Sequence, residues 1–292
     1  MMEIILVTGA TGLLGIDLVS HLKKSDYKVI THSLSRHADV LFDLSDRGKS
    51  YEILEKINPS VIINLVSQTN VELCEEKVNL AYLGNTRSVE NLVNWISCSG
   101  TDCHLVQIST DHLYDGPGLH KEEQITIMNN YSFSKYAGEL AAIQVPSTIL
   151  RTNFVGRSKV SHRESLTDWV YYSLVEKKHI QAFDDVYFSP ISMRVLSEMI
   201  ELVVQKKPIG TYNLGSNNGM SKADFDFAFA EYLKLPTNTM ERINLNQQTF
   251  LKASRPKNML MDSSKFENEL GLKLPNLIDL IPSIALEYYE IN

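Results

Sequence analysis

Cysteine is scarce: Cys74, Cys98 and Cys103 are the three in 292 residues. An odd count without a C-x-x-C spacing excludes a disulfide framework and a cysteine-rich zinc site, and it fits a reducing compartment. Glycine (14) and proline (9) are too few for a collagen-like or low-complexity chain. Long apolar runs are missing as well, and none approaches the ~20 residues of a membrane-spanning helix, so no membrane partner is expected. The first apolar run, Ile4 to Val7, follows Glu3 rather than a basic stretch and ends at once, which is not the pattern of a secretory signal. Basic residues are outnumbered, 28 Lys and Arg against 35 Asp and Glu, and no stripe gathers them, so nucleic acid is not an expected partner. A cytoplasmic protein is the expectation.

What is present is an ordinary globular composition, 43% hydrophobic and 22% charged, with enough length for one large α/β unit and a second smaller lobe. Short apolar runs at Ile4–Val7, Val29–Ile30, Val40–Phe42, Val61–Val66, Leu105–Ile108 and Thr148–Leu150 predict buried strands. Helical periodicity separates them, as in Leu13–Leu22 and Leu83–Ile96. Strands joined by crossover helices predict a parallel, doubly wound sheet. After Arg151 the rhythm becomes mixed, with helical patterns near Leu166–Val175 and Val195–Val204 and a short strand at Thr211–Leu214.

Thr8-Gly9-Ala10-Thr11-Gly12-Leu13-Leu14-Gly15 follows the first strand and opens the first helix. Glycines there permit a tight turn and close backbone approach to a pyrophosphate, whose charge the helix start favours, so a dinucleotide site is expected. An acidic residue for a ribose 2′-hydroxyl is missing at the end of the second strand, which reads Thr31-His32-Ser33-Leu34-Ser35-Arg36. Arg36, aided by Ser33, Ser35 or His32, matches a 2′-phosphate, which favours NADP (NADPH) over NAD; a solvated loop charge is the competing reading. Asp43, beside Leu44, is either an adenine contact or a turn former.

Tyr131 and Lys135 stand four residues apart, hence on one face of a helix. A lysine ammonium near the phenol is expected to lower the tyrosine pKa toward neutrality and make it a general acid or base. Upstream, Ser109-Thr110-Asp111 ends a predicted strand, where ligand sites of open α/β sheets lie; Thr110 either bonds a substrate carbonyl or caps the next turn.

Several further segments, in this order, resemble the dTDP-4-dehydrorhamnose reductase family of extended short-chain dehydrogenase/reductases. They are Asn64-Leu65-Val66-Ser67-Gln68-Thr69-Asn70-Val71, Cys74-Glu75, Asn85 with Asn91-Leu92, Ser109 to Gly116, Leu150-Arg151-Thr152, and Arg255-Pro256-Lys257-Asn258 before Leu260, Asp262 and Lys265. The resemblance implies an α/β fold: a doubly wound parallel Rossmann sheet with a smaller C-terminal substrate-binding lobe. Residues 1–157 would be the NADP-binding domain, with 187–215 returning to it, and 158–186 and 216–292 the substrate lobe. It also implies Tyr131 as proton donor, Lys135 as its activator and a nicotinamide-ribose ligand, Thr110 as carbonyl partner and Asn85 as a supporting asparagine at the site. Gly9, Thr11, Gly12, Leu13, Leu14, Gly15, Leu65, Val66 and Ser67 would line the cofactor. His112, where the family commonly has a tyrosine, is either a sugar contact or a loop residue; Asn153 and Arg255 would join it at the substrate, with Arg255 equally readable as a structural turn residue.

The implied activity is NADPH-dependent reduction of a nucleotide-activated 4-keto-6-deoxy sugar in polysaccharide biosynthesis, with no metal and with a homodimer as the expected assembly. Two alternatives stand beside it: a nucleotide-sugar epimerase or epimerase-reductase, and a non-catalytic regulatory subunit resembling the methionine adenosyltransferase β subunit.

Overall fold

The computed structural model describes residues 2–35, 37–161, 163–248 and 251–289. In chain order, β1 (Glu3–Thr8), α1 (Leu13–Leu22), β2 (Tyr27–Ser33), β3 (Val40–Leu41), α2 (Arg47–Ile57) and β4 (Val61–Asn64) come first. They are followed by α3 (Val71–Glu76), α4 (Ser88–Ser99), β5 (His104–Ile108), α5 (Asn130–Ala142) and β6 (Ser147–Thr152). After an excursion the chain returns through α6 (Met193–Lys206) to β7 (Gly210–Leu214), which pairs parallel with β6. The sheet is parallel throughout, in the order β7-β6-β5-β4-β1-β2-β3. Strand order therefore reverses between β1 and β4, which leaves a crevice beyond their carboxyl ends.

Both faces of the sheet are covered. On one, Leu14, Leu18 and Leu22 of α1 meet Leu196, Ile200 and Val203 of α6; on the other, Leu54, Leu92, Trp95 and Ala142 close over Leu6, Ile62 and Leu105. Two-sided burial is why these strands read as continuous apolar runs rather than alternating ones. The rest of the chain forms smaller sheets: Phe154–Val155 with Ile191–Ser192, Tyr187–Phe188 between Met220–Ser221 and Asn258–Met259, and Ile180–Phe183 with Met240–Ile243. Helices Leu166–Val175, Lys222–Tyr232 and Leu277–Tyr289 pack around them. Among the described residues no helix is long and apolar enough to cross a membrane.

Two elements differ from their sequence patterns. The strand expected over Val61–Val66 stops at Asn64, whose buried carboxamide accepts from the Thr8 hydroxyl at 2.6 Å and donates to Gln107 Oε1 at 2.7 Å. These bonds tie three adjacent strands together and release Leu65 onward as a loop. The helix expected over Leu83–Ile96 begins as a π-helical turn, Leu83–Arg87, and becomes regular only at Ser88. Here α5 crosses at very short range: a Cβ on Gly138 would lie 2.4 Å from the Asn85 carbonyl oxygen.

The brace of α5 is ionic. Glu139 and Arg151 of β6 form an ion pair at 2.6 Å, each side chain 3% exposed. Arg151 Nη1 also donates to the Tyr114 hydroxyl at 2.8 Å, which in turn donates to Asn213 of β7 at 2.6 Å. The Ser109 hydroxyl, just past β5, donates to the same Glu139 carboxylate. One helix is thereby pinned to the ends of β5, β6 and β7. Removing one partner of a buried pair strands the other, so Arg151→Met is expected to lower the unfolding free energy by about 3–5 kcal/mol in urea titrations. A loss under about 1 kcal/mol would show that Glu139 does not depend on the pair.

Candidate functional site

The crevice at the strand-order reversal begins with the glycine turn. Gly9 has φ +68°, and a Cβ there would lie 3.0 Å from the Leu65 carbonyl carbon, so the loop leaving β4 rests directly on the turn. No side chain caps α1 at Gly12, and the helix start presents unpaired N–H groups and its positive dipole end to the crevice. This is a cradle for an anion rather than a packed corner.

Two adjoining cavities fill the crevice. The outer one, about 470 Å³, is lined by Thr11, Ser33, Ser35, Asp43, Leu44 and Val66. The inner one, about 260 Å³, is lined by Leu13, Leu14, Gly15, Thr110, Tyr131, Lys135, His112 and Asn153. Gly9, Gly12, Leu65 and Ser67 border both. Of the described residues expected at a cofactor or at the reacting centre, only Asn85 is not on these walls. Asn85 is buried behind them: its carboxamide accepts from the Ser67 hydroxyl (2.8 Å) and the Gln68 N–H (2.7 Å) and donates to Gln68 O (3.1 Å) and Ser134 Oγ (2.9 Å). It positions the wall and has no bond left for a ligand. Arg36 lies outside the described residues.

His32, expected to aid a 2′-phosphate, is otherwise engaged. One ring nitrogen faces the Gly9 N–H at 3.4 Å and the other the Phe42 carbonyl at 3.0 Å, and burial holds its pKa below the usual histidine value. The hydroxyls of Thr11 and Ser33 lie 3.0 Å apart in the outer cavity. Asp43 serves in part as a turn former, since one of its oxygens accepts from both the N–H and the hydroxyl of Ser45 at 2.8 Å, while the residue still lines the cavity.

In the inner cavity α5 supplies Tyr131 and Lys135. The helix is started by a capping box between Asn129 and Ser132, and Asn129 also donates to the Ser254 carbonyl at 2.7 Å, next to Arg255. The expected effect of lysine on tyrosine is not what the structure shows. Lys135 Nζ donates to the Ile108 carbonyl at 2.7 Å, and burial pushes Tyr131 up to about 12, with the Thr110 hydroxyl opposing and Asp111 reinforcing the rise. Desolvation is the leading cause, and the cation that opposes it is Arg163. Tyr131 is therefore a protonated donor throughout the neutral range. Burial likewise draws Lys135 down to about 8, against the raising effect of Glu139. Thr110 both faces the cavity and caps the short turn Asp111–Leu113, accepting from the His112 N–H at 3.1 Å. Asn153 donates to buried Asp111 at 2.7 Å, and Asp111 is raised by burial to about 6.

A third cavity, about 560 Å³, adjoins the inner one through Thr69, Val71 and His112. His112 stands edge-on to Tyr131, ring centroids 5.5 Å apart. Burial lowers it to about 3, helped by Lys222 and Arg255, so the imidazole is neutral, and its buried Nδ1 has no partner among the described residues. Arg255 reaches this cavity while Nη2 pairs with Glu72 at 2.7 Å; its buried Nη1 is without a partner among the described residues. Trp169, Phe183 and Lys222 complete a wall both aromatic and cationic. Sequence reasoning passed over Lys222 because it belongs to no motif, and Asp111 because it reads as a turn residue.

Three comparisons place this architecture. The chain is 27% identical to the probable low-salt glycan biosynthesis reductase Agl14 of Haloferax volcanii, over 98% of each chain. It is 26% identical to methionine adenosyltransferase 2 subunit beta of Xenopus laevis, over 92% of this chain and 84% of that one. Its fold is similar to that of a dTDP-4-dehydrorhamnose reductase from Bacillus anthracis solved in complex with NADP, with a TM-score of 0.88 at 23% identity, covering 98% of this chain and 100% of the other. Residues 2–289 match the family described as RmlD substrate binding domain, in agreement with the motif resemblance, and the chain belongs to that family.

Proposed function

We propose that this chain is an NADPH-dependent reductase of a nucleotide-activated 4-keto-6-deoxy sugar. The observation that carries the reading is the convergence of Thr110, Tyr131 and Lys135 with the glycine turn on one small cavity at the switch point of the sheet. The relative from Bacillus anthracis holds NADP, and the cradle at Gly9 and Gly12 suits such a dinucleotide. The outer cavity would take the adenosine half, with Asp43, Leu44 and Val66 on its walls. Among its described lining residues, no carboxylate lies between β2 and β3 to compete with a 2′-phosphate; Thr11, Ser33 and Ser35 offer hydroxyls there, which supports NADP over NAD. The inner cavity would take the nicotinamide half, with Lys135 at its ribose.

When bound, the reduced nicotinamide supplies hydride to the carbonyl carbon of the sugar. Tyr131 gives its phenolic proton to the carbonyl oxygen, and the Thr110 hydroxyl, beside it, donates to the same oxygen as negative charge develops. Lys135 is positive below about pH 8 and favours the phenolate left behind. The third cavity would hold the nucleoside diphosphate, with Arg255 and Lys222 against its phosphates and Trp169 and Phe183 against the base. The sugar would then lie at His112, whose neutral ring donates or accepts a hydrogen bond, and near Asn153.

A second reading has its own support, since a relative over nine-tenths of the chain is a methionine adenosyltransferase subunit. A regulatory subunit would bind dinucleotide and a synthetase without turnover, whereas a reductase oxidises NADPH with at least one nucleotide 4-keto sugar. A panel of such sugars, read at the NADPH absorbance, separates the two. Deuterated NADPH distinguishes reduction from epimerisation, because only net reduction leaves the label in the product.

With a working substrate, Tyr131→Phe is expected to lower kcat by roughly 10²–10⁴-fold and leave the NADPH dissociation constant unchanged. Near wild-type turnover would remove Tyr131 from the role of proton donor. The pH profile gives a separate check: kcat/KM should fall as pH rises through about 8, where Lys135 loses its charge, and Lys135→Met should be slow with that limb gone. A wild-type profile flat from pH 7 to about 9 would contradict the assignment of Lys135.

A further inference from the structure

We infer that Arg163 clamps the pyrophosphate of the bound dinucleotide from the side of the crevice opposite the glycine turn. The inference rests on the dinucleotide reading above and adds a residue to it. The outer and inner cavities share a waist bordered by Gly9, Gly12, Leu65, Ser67 and Arg163. A dinucleotide with one half in each cavity must lay its linking phosphates across that waist. Of the residues there, Arg163 alone carries a charge. The start of α1, just after the glycine turn, offers N–H groups and a helix dipole, which orient phosphate oxygens but leave two negative charges without a counter-ion. A guanidinium supplies a permanent charge and a planar fork that fits phosphate.

What sets Arg163 apart is its place. Arg87, Arg194 and Arg242 pair with carboxylates, and Arg47 and Arg157, which form no ion pair among the described residues, line neither cavity, whereas Arg163 borders both. Arg163 forms no ion pair among the described residues; Nη2 donates instead to the neutral Thr69 hydroxyl at 2.5 Å. Thr69 lies on the loop leaving β4, the same loop whose Leu65 rests on the glycine turn. The contact ties the guanidinium to that loop at the border of both cavities. Its charge is felt inside, where it opposes the rise in the Tyr131 pKa. An arginine bonded to a neutral hydroxyl and lining the waist between two cavities is a cation whose partner arrives with the ligand.

Binding measurements test this without turnover. NADPH and NADH are titrated by fluorescence into wild type and Arg163→Gln, with adenosine 2′-monophosphate, which lacks a pyrophosphate, as a competing probe. Because Arg163 is exposed, the variant should melt like wild type. The expected result is a loss of affinity of roughly 10-fold or more for both dinucleotides, by the same factor, with adenosine 2′-monophosphate unaffected. Unchanged binding of both dinucleotides to a variant of a competent wild type would overturn the inference alone. A loss confined to NADPH would also overturn it, because it would move Arg163 to the 2′-phosphate. A wild type that binds neither dinucleotide would remove the cofactor reading, and the clamp with it.

Discussion

The buried pairing of Glu139 with Arg151 is the constraint on which the rest of the site hangs. Two charges taken out of water are stable only if they find each other and fill their remaining hydrogen-bonding capacity, and here they do. Arg151 is also bonded to Tyr114 and to the Glu122 carbonyl at 2.5 Å, and Glu139 also accepts from Ser109. Tyr131, Lys135 and Glu139 repeat at intervals of four along α5, so the face that carries the reactive side chains is also the face that is locked to the sheet. The lock reaches further by field than by contact. Glu139 opposes the desolvation of Lys135 and keeps that ammonium from falling further.

Burial sets the protonation states around the reacting centre more than pairwise charge does. Tyr131 is raised, Asp111 raised, His112 lowered and Lys135 lowered, each with desolvation as the leading cause. The consequence at physiological pH is an interior in which Tyr131 holds its proton and His112 lacks one, while Lys135 is positive and Asp111 negative. Such an interior suits a reaction in which negative charge appears on an oxygen, because a protonated phenol and a cation are already held beside it.

The sheet was legible because two-sided burial writes uninterrupted apolar runs such as Ile4–Val7 and Val61–Ile63, and the turn at Gly9 because the Leu65 backbone leaves no room for a Cβ there. Tyr131 and Lys135 were legible as a spacing, but their electrostatics were not, since desolvation depends on what the small lobe covers. The end of β4 at Asn64 was hidden by Leu65 and Val66, which continue the apolar run yet face a cavity. His32 looked available because its bond to Phe42 joins residues ten apart across strands not yet paired on paper. Arg163 and Lys222 carry no motif at all; each matters only through what the fold places opposite it.

The π-helical turn at Leu83–Arg87 has a consequence for how this chain can change in length. A π turn holds one residue more than the α-helical ladder needs, and here that turn carries Asn85 to the loop under Ser67 and Gln68. Deleting one residue of the turn would run the preceding helix, Val78–Tyr82, straight into α4 with little relative rotation, because the wider turn already takes up the extra residue. The core residues Val89 and Leu92 after it would keep their face. What would be lost is local: the outward swell that lets the Asn85 carboxamide meet Ser67 and Gln68. The spare residue is therefore a pleat in the helix, held for the wall of the crevice and not for the core.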